Sequence, residues 1–193
     1  MYEYIIGKVS ELNPAHTVLE CGGIGYNILI SLNTYTMLEV NKETKLYVHQ
    51  VVREDAHLLF GFFEKSEREM FRLLNTVSGV GANTARMILS SLNPSELQMA
   101  ITGSNVNVLK GVKGIGLKTA QRIIVDLKDK ISKTSVSDEF FTGKYNTIKD
   151  ESLSALIMLG FPKNISEKIV DKILAENNQI SVEGLIKEAL KSM

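Results

Sequence analysis

The chain has 193 residues, 44% of them hydrophobic and 23% charged, and its 22 basic side chains balance 22 acidic ones. Such a composition fits a folded globular protein of one or two domains. No apolar run reaches membrane-spanning length, and a single cysteine leaves no disulfide framework, zinc ribbon or iron–sulfur cluster.

The zero net charge hides an uneven distribution. Residues 1–64 carry 4 basic and 8 acidic side chains, residues 65–142 carry 11 and 7, and residues 143–193 carry 7 of each. The positive excess sits in the middle of the chain, where a polyanion would be met. The opening Met1-Tyr2-Glu3-Tyr4 lacks the basic start of a targeting segment, so a cytoplasmic location is expected. His16, His49 and His57 show no metal-ligand spacing, and Cys21 reads as a small apolar residue near a Gly-Gly turn. No metal and no cofactor are expected.

Residues 1–63 read as strands. Short alternating or β-branched runs cover Tyr4 to Val9, Thr17 to Cys21, Tyr26 to Ser31, Lys45 to Val52 and His57 to Phe62, parted by turn material such as Asn13-Pro14 and Gly22-Gly23. Five or six short strands in some sixty residues predict a small closed barrel of the OB type. The turn Arg53-Glu54-Asp55-Ala56 joins two apolar strands and carries two acids at its tip. Taken alone, such a turn reads as a solvated hairpin.

From residue 64 the period becomes helical. Glu67 to Leu74 sets Met70, Phe71 and Leu74 on one side and Arg68 and Arg72 on another. Two nearly equivalent stretches follow, Ser78 to Leu89 and Lys113 to Ile124, in which five positions coincide: Gly79/Gly114, Gly81/Gly116, Thr84/Thr119, Ala85/Ala120 and Ile88/Ile123. Each is a Gly-aliphatic-Gly turn, through Val80 or Ile115, opening an amphipathic helix. Glycine permits positive φ and close approach of a ligand, and the helix start aims free N–H groups and a positive dipole at it. That geometry suits a phosphate. Two copies suit two phosphates of one nucleic-acid backbone, the helix-hairpin-helix arrangement, which binds DNA irrespective of base sequence. Between the copies, Asn93-Pro94-Ser95-Glu96 is a helix start with N-cap, Pro at N1 and Glu at N3. Another short helix leads into the second hairpin, and the helix after that hairpin is expected to run through Lys130.

A nucleotide site is rejected. Gly111 to Thr119 approaches a P-loop, but Leu117 stands where the phosphate-binding Lys is needed, Lys118 comes one residue late, and no apolar strand leads in.

Residues 132–149, rich in Ser, Thr, Lys, Asp and Gly, predict a flexible linker. Beyond it, apolar residues mark three helices: Leu153, Leu156, Ile157 and Leu159; then Ile165, Ile169 and Ile173; then Val182, Leu185, Ile186 and Leu190. Gly160-Phe161-Pro162 turns the chain after the first. This three-helix bundle over residues 150–193 is near the lower size limit for independent folding. Its Gly-aromatic turn resembles that of ubiquitin-associated-like domains, which hold a partner.

Barrel, tandem hairpins, linker and three-helix tail together resemble the RuvA family of bacterial Holliday-junction branch-migration subunits, over essentially the whole chain. The motifs that carry the resemblance are Val51 to Ala56 with Leu58 to Phe62, the Gly79-Val80-Gly81 turn, Gly114-Ile115-Gly116 with Lys118-Thr119-Ala120, and Ala155 to Phe161. The resemblance implies a multi-domain α+β protein divided as 1–63, 64–131, 132–149 and 150–193. It implies a homotetramer, or a face-to-face octamer on DNA, that holds four-way junctions open and square-planar in recombination and DNA repair. It implies that Glu54 and Asp55 form an acidic pin at the crossover, where carboxylates repel phosphates and guide strands apart. It further implies a non-catalytic subunit that recruits the RuvB ATPase, with Leu156, Leu159, Phe161 and Leu190 as docking residues and the RuvC resolvase as a further partner. The candidate DNA-binding set is Gly79, Val80, Gly81, Asn83, Thr84, Arg86, Lys113, Gly114, Ile115, Gly116, Lys118, Thr119, Arg122 and Arg53. Two positions depart from the family pattern. Asn83 stands where a Lys is usual, and at Leu117 and Lys118 a Lys pair is reduced to one, so charge contacts are expected to be lost or moved to Arg86, Lys113 and Arg122.

Two other classes were weighed. A hairpin-containing glycosylase needs a catalytic Asp in an ordered pocket, whereas Asp138 falls in the linker. A nuclease needs acids converging on metal, whereas the acids here pair in the barrel turn. A pure protein scaffold would not require the basic middle segment.

Overall fold

The computed structural model describes residues 2–134, 148–177 and 180–192. The chain forms two compact units that divide at 137/138.

The first unit opens with five strands: β1 (Tyr4–Leu12), β2 (His16–Cys21), β3 (Ile24–Ile30), β4 (Glu43–Val52) and β5 (His57–Phe62). They close a barrel in the order β1-β2-β3-β5-β4, every pair antiparallel except β3 with β5. That is the expected OB-like order. Alternation explains the core, since Ile5 and Val9 of β1, Leu19, Ile28 and Ile30, and Leu46 and Val48 all point inward. A short helix, α1 (Leu32–Thr36), follows β3. It was not expected, because five residues give too little periodicity to read. Ser31 starts it by accepting a hydrogen bond from Thr34 N–H at 3.0 Å.

The helical part comprises α2 (Lys65–Asn75), α3 (Ala82–Ser91), α4 (Pro94–Thr102), α5 (Val106–Lys110) and α6 (Leu117–Thr134). The reading of Asn93 as an N-cap agrees with a complete capping box between Asn93 and Glu96. Barrel and helices share a core. Phe71 of α2 lies 5.1 Å from Phe60 and 4.9 Å from Phe62, ring centre to ring centre, and His49 of β4 meets the same ring edge-on. Each such ring contact contributes about 1 kcal/mol beyond its burial.

Arg68 departs from the amphipathic reading of α2. It is fully buried, not on a solvated side. Its guanidinium donates to Glu3 C=O at 2.8 Å, pairs with Glu3 and Glu69, and lies over the Tyr47 ring. Burial is tolerable because every charge-bearing face of the group has a partner. The Arg68 hydrogen bond also holds the Glu3 carboxyl below its ordinary range. Next to Arg68, Glu67 is buried and accepts hydrogen bonds from the Ser31 and Thr34 hydroxyls.

Of the expected linker, residues 135–147 and with them Asp138 lie outside the described residues. Its first residues instead continue α6 to Thr134, and its last begin the next helix at Ile148. The second unit packs α7 (Ile148–Met158), α8 (Lys163–Glu176) and α9 (Val182–Ser192) around Leu156, Val170, Ile173, Leu185 and Ala189. Ile165, expected on the apolar stripe of α8, is 52% exposed.

Candidate nucleic-acid interface

The two Gly-aliphatic-Gly turns have the same build. Gly79 has φ +89° and Gly114 has φ +88°, the left-handed region that favours glycine. Val80 N–H donates to Val77 C=O, and Ile115 N–H to Val112 C=O, both at 3.0 Å. Val80 and Ile115 are buried, as are Val77 and Val112 three residues earlier. The aliphatic residue therefore anchors each turn in the core and leaves only its backbone to face outward. Val77 and Val112 extend the repeat toward the N-terminus, at positions the sequence comparison did not include.

Gly81 is the N-cap of α3 with extended backbone, and no side chain caps that helix. Gly116 occupies the equivalent place before α6, where its carbonyl accepts from Ala120 N–H at 3.0 Å; the Gly81 carbonyl accepts from Ala85 N–H at 2.9 Å. A Cβ at either Gly81 or Gly116 would meet nothing within 4 Å. Space stands open in front of both turns, and the first-turn N–H groups of α3 and α6 lack intrahelical acceptors, as at any helix start. Two helix starts behind open glycine turns share a geometry that suits an anion.

Their side chains differ. Around the second turn Lys110, Lys113 and Lys118 are exposed, and Thr119 is half-buried. Arg122 reaches Asp126 on its own helix at 3.8 Å, which offsets part of its charge. Around the first turn Asn83 is exposed, Thr84 half-buried, and the basic residue is Arg86. Arg86, expected among the phosphate contacts, is half-buried against the barrel. Its Nη1 donates to the barrel carbonyls of Ala15, at 2.6 Å, and Ile30, at 3.3 Å. The turns also approach one another, since the Met87 methyl of α3 lies 3.9 Å from where a Gly114 Cβ would stand.

Arg53, Glu54 and Asp55 are all exposed at the β4–β5 connection, which Arg53 N–H closes on Ala56 C=O at 2.8 Å. Among the described residues no group of His, Cys, Asp and Glu is arranged to hold a metal ion, and no helix is long and apolar enough to cross a membrane.

In the second unit the four expected docking residues separate. Leu156 is fully buried and belongs to the core of the bundle, which corrects its reading as surface. Phe161 is partly buried against that core, whereas Leu159 is 60% and Leu190 41% exposed. Met158, at 86%, is a neighbour of Leu159 that the helical stripe did not single out. Gly160, at φ +97°, ends α7 with its N–H on Ile157 C=O and the Phe161 N–H on Leu156 C=O.

Comparison with known proteins adds the family. Residues 1–61 match the family model described as the RuvA N terminal domain, 71–129 the SAM-like helix-hairpin-helix tandem, and 147–193 the RuvA C-terminal domain. Proteins named Holliday junction branch migration complex subunit RuvA are similar along their full length. That of Christiangramia forsetii is 50% identical and that of Parabacteroides distasonis 51% identical, each alignment covering 100% of both chains. That of Flavobacterium psychrophilum is 47% identical, again over 100% of both.

Proposed function

The chain belongs to the RuvA family, and we propose that it binds four-way DNA junctions by seating backbone phosphates on its two hairpin turns. The observation that carries this reading is the repeated turn itself: positive-φ Gly79 and Gly114, open Gly81 and Gly116, and an uncapped helix start behind each. Amide donors at a helix start hold a phosphate without reading a base. Lys113 and Lys118 add charge at the second turn, Asn83, Thr84 and Thr119 add neutral polar groups, and Arg53 reaches phosphates beside the barrel tip. Val80 and Ile115 serve as anchors. Glu54 and Asp55 act as the pin, excluding phosphates from the crossover by like-charge repulsion.

The subunit hydrolyses no ATP. Directed branch migration consumes energy, so the RuvB ATPase supplies it, and the second unit is where RuvB docks, through Leu159, Leu190 and the edge of Phe161. Four copies surround the junction, two such tetramers face each other on DNA, and RuvC acts on the same junction. The setting is the bacterial cytoplasm.

Competition of a four-way junction against linear duplex of the same strands tests the reading. The wild-type chain is expected to prefer the junction. The double variant Glu54→Gln, Asp55→Asn is expected to keep junction affinity while losing part of that preference. Equal affinity of the wild-type chain for both DNAs would overturn the junction reading. Leu159→Asp, at an exposed position, is expected to leave junction binding intact and abolish ATP-driven migration with RuvB.

A further inference from the structure

Arg86 is the only basic residue between Ser78 and Leu89, the first of the two repeated stretches, and it is committed to the barrel. Ala15 C=O, which accepts from Arg86 Nη1, also accepts from Ile30 N–H at 3.1 Å, so the guanidinium closes the point where the start of β2 meets the end of β3. Burial lowers the Arg86 pKa, and its Nε is buried with no acceptor among the described residues. Swinging this side chain toward DNA would give up both barrel contacts, leaving Ala15 C=O with Ile30 N–H alone.

The same face of α3 carries a second set of ties. Ser90 Oγ accepts from Leu32 N–H at 3.1 Å and donates to Arg86 C=O at 2.9 Å. Asn33 Nδ2 donates to Leu89 C=O and, at 3.4 Å, to Leu92 C=O. Arg86 is thus the N-terminal bolt of a row running from the hairpin turn to the end of α3, and every bolt lands on the β1–β2 connection, β3 or α1. The barrel that α3 is bolted to is the one that carries Glu54 and Asp55.

We propose that Arg86 is a positioning residue: it ties the helix behind the first phosphate turn to the barrel, fixing that turn relative to the acidic tip, and so sets junction selectivity without touching phosphate. The inference rests on the junction-binding reading above. A rigid spacing between two phosphate turns and a repulsive tip admits only DNA whose backbones diverge to match, whereas a loose first turn can also follow a linear duplex.

The test is the affinity of the full chain for junction and for duplex over a range of salt, with wild type, Arg86→Ala and Arg86→Lys. Arg86→Ala is expected to keep the slope of log affinity against log salt and to lower the junction-to-duplex preference about tenfold, as for loss of one charge-assisted hydrogen bond. Arg86→Lys is expected to restore part of the preference, because an ammonium can hold one carbonyl but lacks the fork. A slope reduced by about 0.9 would make Arg86 a phosphate contact and overturn the proposal. An unchanged preference would overturn it as well. Should Arg86→Ala not fold, Asn33→Ala removes a tie from the barrel side and is expected to lower the preference in the same direction; no change would count against the proposal. Hydrogen exchange separates this failure from failure of the junction reading. Faster exchange of the hydrogen-bonded amides of α3, from Ala85 N–H onward, in Arg86→Ala supports the strut even if wild type shows no preference for junctions, and unchanged exchange overturns it.

Discussion

The two hairpins share a backbone and a buried aliphatic anchor and differ in the charge around them. At the first, a neutral Asn83 faces outward and Arg86 is spent on Ala15 and Ile30 of the barrel. At the second, Lys110, Lys113 and Lys118 are exposed, and α6 packs on α4 and α5. The first turn is held rigidly and offers dipoles; the second offers dipoles and charge. On the proposed reading, phosphate recognition by the motif is separable from electrostatic attraction, and the chain assigns the two in different proportions to its two turns. The first site is expected to contribute geometry that salt does not screen, and the second the counterion release that it does.

The sharpest way to break this comparison is to fill the open space at each turn. Gly81 has φ −83°, and neither it nor Gly116 has an atom within 4 Å of a would-be Cβ. Gly81→Val and Gly116→Val are thus expected to fold normally and to weaken binding of every DNA, by about tenfold or more per turn if each loses a charge-assisted hydrogen bond. Titration by fluorescence anisotropy, with thermal melting as the fold control, checks this. If only the Gly116 variant weakens binding, the first turn is not a phosphate site and the equivalence fails. Gly79→Ala and Gly114→Ala act differently, since their positive φ makes the strain internal. Each is expected to lower stability by roughly 1–2 kcal/mol, read by denaturant unfolding.

A smaller effect sharpens the contrast in charge. Lys118→Ala is expected to reduce the slope of log affinity against log salt by about 0.9, while Asn83→Ala leaves the slope unchanged. Asn83→Lys, conversely, is expected to steepen it by a similar amount if its helix start faces phosphate. Equal slopes for wild type and Lys118→Ala would remove Lys118 from the interface.

How these features stood in the sequence follows from the range of the interactions that make them. The turns were legible because Gly79-Val80-Gly81 and Gly114-Ile115-Gly116 are local and repeated, and the barrel because its strands alternate. The barrel contacts of Arg86 were not legible, because the acceptors are 71 and 56 residues away and nothing near it announces a barrel carbonyl. The burial of Arg68 was not legible for the same reason, since Glu3, 65 residues away, pairs with it and the Tyr47 ring covers it. In the small bundle, Leu156 and Leu159 look alike on a helical stripe. Only the packing of α7, α8 and α9 decides that the first is core and the second surface.

The smallest expected effect concerns pH, and it locates the titrating groups away from both hairpins. The salt slope is expected to be constant between pH 5 and 8. Stability is not. Burial holds His49, at the seam between β4 and Phe71, below its ordinary pKa, and Arg72 and Arg68 act in the same direction while Glu69 opposes them. The unfolded chain therefore takes up the proton first, and stability is expected to fall as pH drops below about 6.5. Burial raises the Glu67 pKa against the opposing hydrogen bonds from Ser31 and Thr34. The folded state then binds its proton more tightly, so this group alone removes stability as pH rises above about 4.5. The two slopes have opposite signs and separate by substitution. His49→Gln is expected to abolish the loss between pH 7 and 6, and Glu67→Gln to leave that loss in place while flattening the profile at lower pH. Melting curves across pH 4 to 8, run beside DNA titrations at each pH, check both. A salt slope that changes over the same range as the melting temperature would place a titrating group at the hairpins and end the separation of the two sites from the barrel seam.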